Sequence, residues 1–203
     1  MKMPSIKVMT VLFALVPFGA SSDYSLDQID SAIRMSDAQD IVITFSRDLG
    51  DLSRNGKLRN LEESSVEQAC LALTLAQMLR NPMMNGGNES VNVSVFLRND
   101  GVKLADTALV EAISEAQSNN ALPGCVAPGY EYPITLAQHL ANFLASVGGD
   151  NDLVNCPICW CAYKGFADGG ACAEDYYTRG YPGVLNPAAV PPLFLGAEKV
   201  IDF

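Results

Sequence analysis

Short apolar runs alternate along this chain with stretches that carry helix start signals, and that alternation limits the fold more than any other feature. Ile41 to Phe45 reads Ile-Val-Ile-Thr-Phe, a β-branched run suited to a buried strand. A polar loop follows. Ser64-x-x-Glu67 then has the form of a capping box, in which the serine satisfies one free backbone N–H and the glutamate reaches back to another. The predicted helix runs to about Arg80, with Val66, Ala69, Cys70, Leu73 and Ala76 on one face. Asn85-Gly86-Gly87-Asn88 breaks the chain, Val91 to Leu97 reads as a second strand, and Asp106 or Thr107 is placed to cap a helix through Ala116.

Residues 117–133 are loop-like, with Pro123, Gly124, Pro128 and Gly129. Thr135-x-x-Gln138 is a second capping box, and Leu136, Leu140, Phe143, Leu144 and Val147 give its helix an apolar stripe. Leu153 to Asn155 reads as a third strand, ending on Cys156. Residues 167–192 are rich in Gly, Pro and Tyr and read as a long surface excursion, with a brief strand at Val184-Leu185. Lys199 to Phe203 closes the pattern as a final strand. Strands separated by amphipathic helices predict an α/β domain: a mostly parallel sheet of about five strands with helices on both faces. Sites in such sheets gather at the carboxyl ends of strands, where Arg47, Arg98, Asn99, Asp100 and Cys156 fall.

The first residues read differently from the rest. Lys2 and Lys7 precede an apolar stretch from Val8 to Ala20, and Gly19-Ala20-Ser21-Ser22 supplies small residues for cleavage. Residues 1–22 are therefore expected to be a signal peptide, and residues 23–203 a single exported domain, periplasmic or secreted. The apolar stretch is short for a bilayer span of roughly 20 residues, so no stable membrane insertion is expected. Thirteen Lys+Arg against 23 Asp+Glu give a net charge of −10, and no basic cluster offsets it. Such a surface repels nucleic acid and anionic lipid. No phosphate-binding glycine loop, Ser-His-Asp arrangement or paired catalytic carboxylates can be placed, and no cofactor is expected.

Six cysteines remain to be explained. Cys70 sits on an apolar helix face and is expected to pack as a small hydrophobe. Cys125 lies in a loop, with Cys172 as one available partner. Cys156, Cys159 and Cys161 cluster after the third strand in Asn-Cys-Pro-Ile-Cys-Trp-Cys. A helix beginning just after Cys156, with Pro157 at its first position, would favour a thiolate there through its free N–H groups. Three readings stay open: reactive thiol chemistry, a structural disulfide to Cys172, or a zinc or copper site completed by Cys172 or His139. His139, the single histidine, is expected to play a structural part on its helix.

Three segments, in order, make the chain resemble the DsrE/DsrF-like family of sulfur-handling proteins. They are Val95-Phe96-Leu97-Arg98-Asn99-Asp100-Gly101-Val102, then Cys156-Pro157-Ile158-Cys159 followed by Lys164-Gly165, then Gly196-Ala197-Glu198-Lys199-Val200-Ile201-Asp202-Phe203. The resemblance spans about residues 40–203. It implies a three-layer α/β sandwich, homo-oligomeric assembly, and a strand-end cysteine that carries sulfur as a persulfide, here Cys156. The expected function is an exported sulfur carrier of the sulfurtransferase type. Cys156, Cys159 and Cys161 are its candidate catalytic thiols, and Arg98 and Lys164 its substrate-binding cations. Its partners are a donor or acceptor protein or small sulfur species. The alternative is a non-catalytic binding or structural module whose cysteines are oxidised or hold metal. The extra Cys161, and longer loops near 48–62 and 119–133, depart from the family's pattern.

Overall fold

The computed structural model describes residues 40–81, 91–145, 153–166 and 190–203. The expected signal peptide, the Asn85–Asn88 turn, Val184-Leu185 and Cys172 lie outside the described residues. In chain order the elements are β1 (Asp40–Phe45), β2 (Asp51–Leu52), β3 (Leu58–Arg59), α1 (Glu63–Arg80) and β4 (Asn92–Leu97). A 3₁₀ helix (Asn99–Ala105), α2 (Thr107–Ser118), α3 (Leu136–Ala145) and β5 (Leu153–Asn155) come next. The chain ends with α4 (Pro157–Lys164), α5 (Val190–Gly196) and β6 (Lys199–Asp202).

The four longer strands form one parallel sheet in the order β5-β4-β1-β6. Parallel strands pair only across crossover connections, and the intervening helices supply them. The expected count was about five strands, and the described residues hold four in this sheet. Alternation within each strand divides its side chains between two layers. Ile41, Ile43 and Phe45 of β1, with Val93, Val95 and Leu97 of β4, join the main core beneath α1, α2 and α3. Val42, Phe96 and Val154 face the other way and pack against α5, whose Phe194 meets Phe96 edge to face at 5.1 Å. The result is a three-layer α/β sandwich with unequal layers. The main core is closed, whereas every residue of α5 keeps some exposure and Leu195 is 86% exposed.

Several local details differ from the sequence reading. The first capping box does not form: α1 starts at Glu63 behind Glu62, no side chain caps it, and Ser64 lies inside the helix. The second half-forms, since Thr135 Oγ1 accepts the Gln138 N–H at 3.3 Å. Val190-Pro191-Pro192, expected to belong to the surface excursion, instead open α5, where prolines in a first turn displace no helical hydrogen bond. The Asp-Gly-Val turn after β4 is a 3₁₀ helix pressed on β1. A Cβ on Gly101 would lie 2.1 Å from the Phe45 carbonyl oxygen, so only glycine fits.

Cys70 and Cys125 form a disulfide, which corrects both earlier readings of those residues. An isolated bridge between Cys125 and Ile134 brings the 119–133 loop back over α1, so Cys125 meets the apolar helix face where Cys70 sits. His139 is wholly buried beside this bridge. Thr74 spends its hydroxyl proton on the Val126 carbonyl, and the Cys70 carbonyl only accepts, so Nε2 of His139 carries the proton toward both. Burial holds the imidazole below its ordinary pKa, against the pull of the Cys70 carbonyl, and keeps it neutral.

Candidate thiol site at the carboxyl edge of the sheet

The edge of β4 fixes where the cysteine cluster begins. Past the Leu97–Asn155 pair, the Cys156 N–H continues the ladder to the Leu97 carbonyl at 2.8 Å. Cys156 is also the residue before α4, and its carbonyl accepts the Trp160 N–H at 2.9 Å. Pro157 occupies the first helical position, as its fixed φ and missing N–H allow. At the far end Gly165 takes a left-handed φ of 74°, its N–H bonding the Ala162 carbonyl while Phe166 N–H bonds that of Cys161. Eight residues of helix are thereby pinned at both ends.

Trp160 anchors α4 in the main core with no exposed surface. Lys164 pairs with Asp106 at the start of α2, and its ammonium stands 4.8 Å from the centres of both the Trp160 and Tyr163 rings. Tyr163 donates its hydroxyl to the same Asp106 carboxylate at 2.8 Å. Burial raises the Asp106 carboxyl, but Lys164 and Tyr163 together outweigh it and hold the group below the usual carboxylate range. Behind Tyr163 stands Lys103, 5% exposed, donating to Asp48 at 2.7 Å and Asp51 at 3.0 Å. Burial works against its charge, and the two carboxylates more than compensate, so its pKa lies above the ordinary value. This chain of alternating charges joins the 46–52 loop, the 3₁₀ helix, α2 and α4 into one support for the cysteines.

The three clustered thiols separate into two kinds. Cys161 is disulfide-bonded. Cys156 and Cys159 are free and half-buried, and their sulfurs stand 2.7 Å apart. That is close enough for a short movement to reach the ~2.05 Å of a disulfide bond. The depressed pKa expected for Cys156 is not what this environment produces. Burial and the neighbouring Cys159 push the thiol up to about 11, although the backbone N–H groups of Cys159 and Ile158 pull the other way. Cys156 is therefore held as a neutral thiol rather than a standing thiolate.

The two predicted substrate-binding cations fare differently. Lys164 is committed to Asp106 and to the aromatic rings. Arg98 follows β4 and grips both oxygens of Asp202 at 2.9 and 2.8 Å, while Thr44 donates its hydroxyl to the same carboxylate. Thr44, Arg98, Phe194, Val200 and Asp202 line a cleft of about 210 Å³ on the thinner face of the sheet. His139 serves the Thr74–Cys70 corner, so it is spent as a base for Cys156. Sequence reasoning took Asp106 only as a helix cap and passed over Lys103, Thr44 and Asp202. Asp202 had a readable signal, a carboxylate at the carboxyl end of the last strand.

Among the described residues no group of three or more His, Cys, Asp and Glu is placed to hold a metal, and no helix is long and apolar enough to cross a membrane. Comparison of the chain with protein-family models, with curated proteins and with solved structures finds no match, and so identifies no DsrE/DsrF-like family.

Proposed function

We propose that this protein is an exported sulfur carrier of the sulfurtransferase type that works through the Cys156–Cys159 pair. The observation that carries the reading is the pair itself: two free thiols 2.7 Å apart at the carboxyl edge of a parallel sheet, on a helix pinned at both ends. The resemblance of three ordered segments to sulfur-handling proteins supports it. In the first step the Cys156 thiol loses its proton to solvent, and its sulfur attacks the sulfane sulfur of a donor such as thiosulfate. A Cys156 persulfide forms, and the donor's S–S bond breaks with its electron pair leaving on sulfite. In the second step the Cys159 thiolate attacks Cys156 Sγ, closes a disulfide and expels sulfide. A thiol reductant then resets the pair.

The high pKa of Cys156 favours this internal release. A persulfide hands its outer sulfur to an external thiol only by expelling the Cys156 thiolate, a poor leaving group, whereas closure by Cys159 expels the better-leaving sulfide. The same geometry supports a second reading, thiol–disulfide exchange with protein disulfides, in which the pair cycles without carrying sulfur. The disulfide at Cys161 belongs to neither chemistry and fits a purely structural part for that residue.

Mass mapping after thiosulfate treatment separates these possibilities. The expected result is one added sulfur on the peptide containing Cys156, lost in Cys156→Ser and longer-lived in Cys159→Ser. A Cys156–Cys159 disulfide formed only with disulfide substrates, and never a sulfur adduct, would replace the carrier reading with the exchange reading.

A further inference from the structure

We infer that Arg98 and its cleft form an oxyanion subsite for the sulfur donor, and that Asp202 occupies it as an internal stand-in. The inference rests on the carrier reading above and specifies its substrate class: small donors bearing a sulfonate-type group, thiosulfate being the simplest. Position comes first. Arg98 and Cys156 are successive neighbours beyond the Leu97–Asn155 pair, so they extend the same row of the sheet. Strand alternation sends Arg98 to the face of Phe96 and Val154, and Cys156 packs against that same cluster. Thr44 and Asp202, paired across β1 and β6, share that face in the adjacent row of Phe96 and Val154.

Chemistry comes second. Arginine's planar fork can bind two oxygens of one anion; here a single nitrogen, Nη2, donates to both oxygens of Asp202. Thr44 adds a hydroxyl donor to the same carboxylate. A donor's sulfonate has the oxygens to take over all three contacts. The fork is also not fully spent, because Arg98 Nε is buried without a partner among the described residues. With side chains 40% and 58% exposed, the Arg98–Asp202 pair is the kind of surface ion pair that an incoming dianion displaces easily. Phe194 and Val200 give the cleft apolar walls beside this ion pair. Once seated, the sulfonate is where negative charge collects as sulfite leaves, and Arg98 stabilises that charge.

The test separates binding from chemistry. Thiosulfate is titrated calorimetrically into the full chain carrying Cys156→Ser, where no sulfur can transfer. Adding Arg98→Gln should weaken binding at least tenfold, Arg98→Lys should fall between, and Asp202→Asn should tighten it several-fold by removing the competitor. Sulfite should compete with thiosulfate for the same site. Equal affinity in Arg98→Gln, or weaker binding in Asp202→Asn, overturns the subsite. Should binding follow the expected pattern while the wild-type chain forms no persulfide, the subsite stands and the carrier reading falls. Should Arg98→Gln still form the adduct with unchanged KM, the carrier reading stands and the subsite falls.

Discussion

Two cysteine pairs whose members both lie among the described residues have opposite surroundings. Cys70 and Cys125 lie 55 positions apart in sequence, come together in the main core, and are bonded. Cys156 and Cys159 sit one helical turn apart at the edge of the sheet and remain thiols. Around the first pair, Thr74, the Val126 carbonyl and neutral His139 satisfy one another. Around the second, the polar support stands under the helix and leaves the sulfurs themselves half-exposed. The contrast shows that cysteine spacing alone does not reveal role. A long loop gives a staple much to constrain, whereas a three-residue spacing gives it almost nothing, so the short pair is free to open and close.

The largest expected effect tests that asymmetry directly. Replacing Cys70 and Cys125 by Ser should cost about 4 kcal/mol, the chain-entropy value for a loop of 55 residues, read from urea midpoints. Replacing Cys156 and Cys159 together should cost about 1 kcal/mol or less. Similar losses from both pairs would make the second a staple too and remove the basis for its chemistry.

Next in size is the support beneath the open pair. Asp106→Asn leaves Lys164 facing two aromatic rings without its carboxylate, and should cost about 2 kcal/mol. Because the folded carboxyl lies below its ordinary 3.8, this stability is full above that pH and is lost as pH falls through the folded value. Acid unfolding followed by circular dichroism should show that component in the parent chain and not in the variant.

A smaller acid effect belongs to the closed corner. His139 is held below its ordinary 6.5, so its contribution is intact above pH 6.5 and declines as the unfolded chain takes up a proton below it. Urea midpoints should be level above pH 7 and slope downward on the acid side, and His139→Gln should remove that slope. A flat profile in the parent would contradict a neutral, fully partnered imidazole.

The smallest shift is the contribution of Cys159 to the raised pKa of its neighbour. Alkylation at Cys156 should speed up about tenfold per pH unit through the range below 11, as thiolate appears. Cys159→Ala should move this profile to lower pH by a fraction of the rise from 9.0, since burial remains. A profile that does not move would mean that burial alone sets the thiol.

The strands of the parallel sheet were the most legible part of the sequence, because β-branched runs such as Ile41–Phe45 have few alternatives in a chain of this pattern, whereas the two-residue strands β2 and β3 fall in what reads as a polar loop. The position of Cys156 at a strand end was legible for the same reason. Its pKa was not. A helix N-terminus argues for a thiolate only until the burial at the sheet edge and the sulfur of Cys159 are known. The Cys70–Cys125 bond was hidden because an apolar helix position gives no hint of a partner reached by a loop 55 residues on. Asp106 was read as a cap because sequence shows which residue precedes a helix and not which cation folds back onto it. Ser64 failed as a cap because the helix already begins at Glu63 behind Glu62, a two-residue displacement that propensity alone does not resolve.

Trp160 gives the site an optical consequence. It is the only tryptophan in the chain, it is shielded from solvent, and it follows Cys159 directly. An excited indole loses its emission to a nearby disulfide more readily than to thiols, by passing an electron to it. Closing the Cys156–Cys159 pair should therefore dim the indole beyond what the standing disulfide at Cys161 already does, and reopening that pair alone should restore the difference. The emission of one residue then serves as a label-free readout of whether the pair is open or closed, readable in stopped flow without a dye or a coupled enzyme.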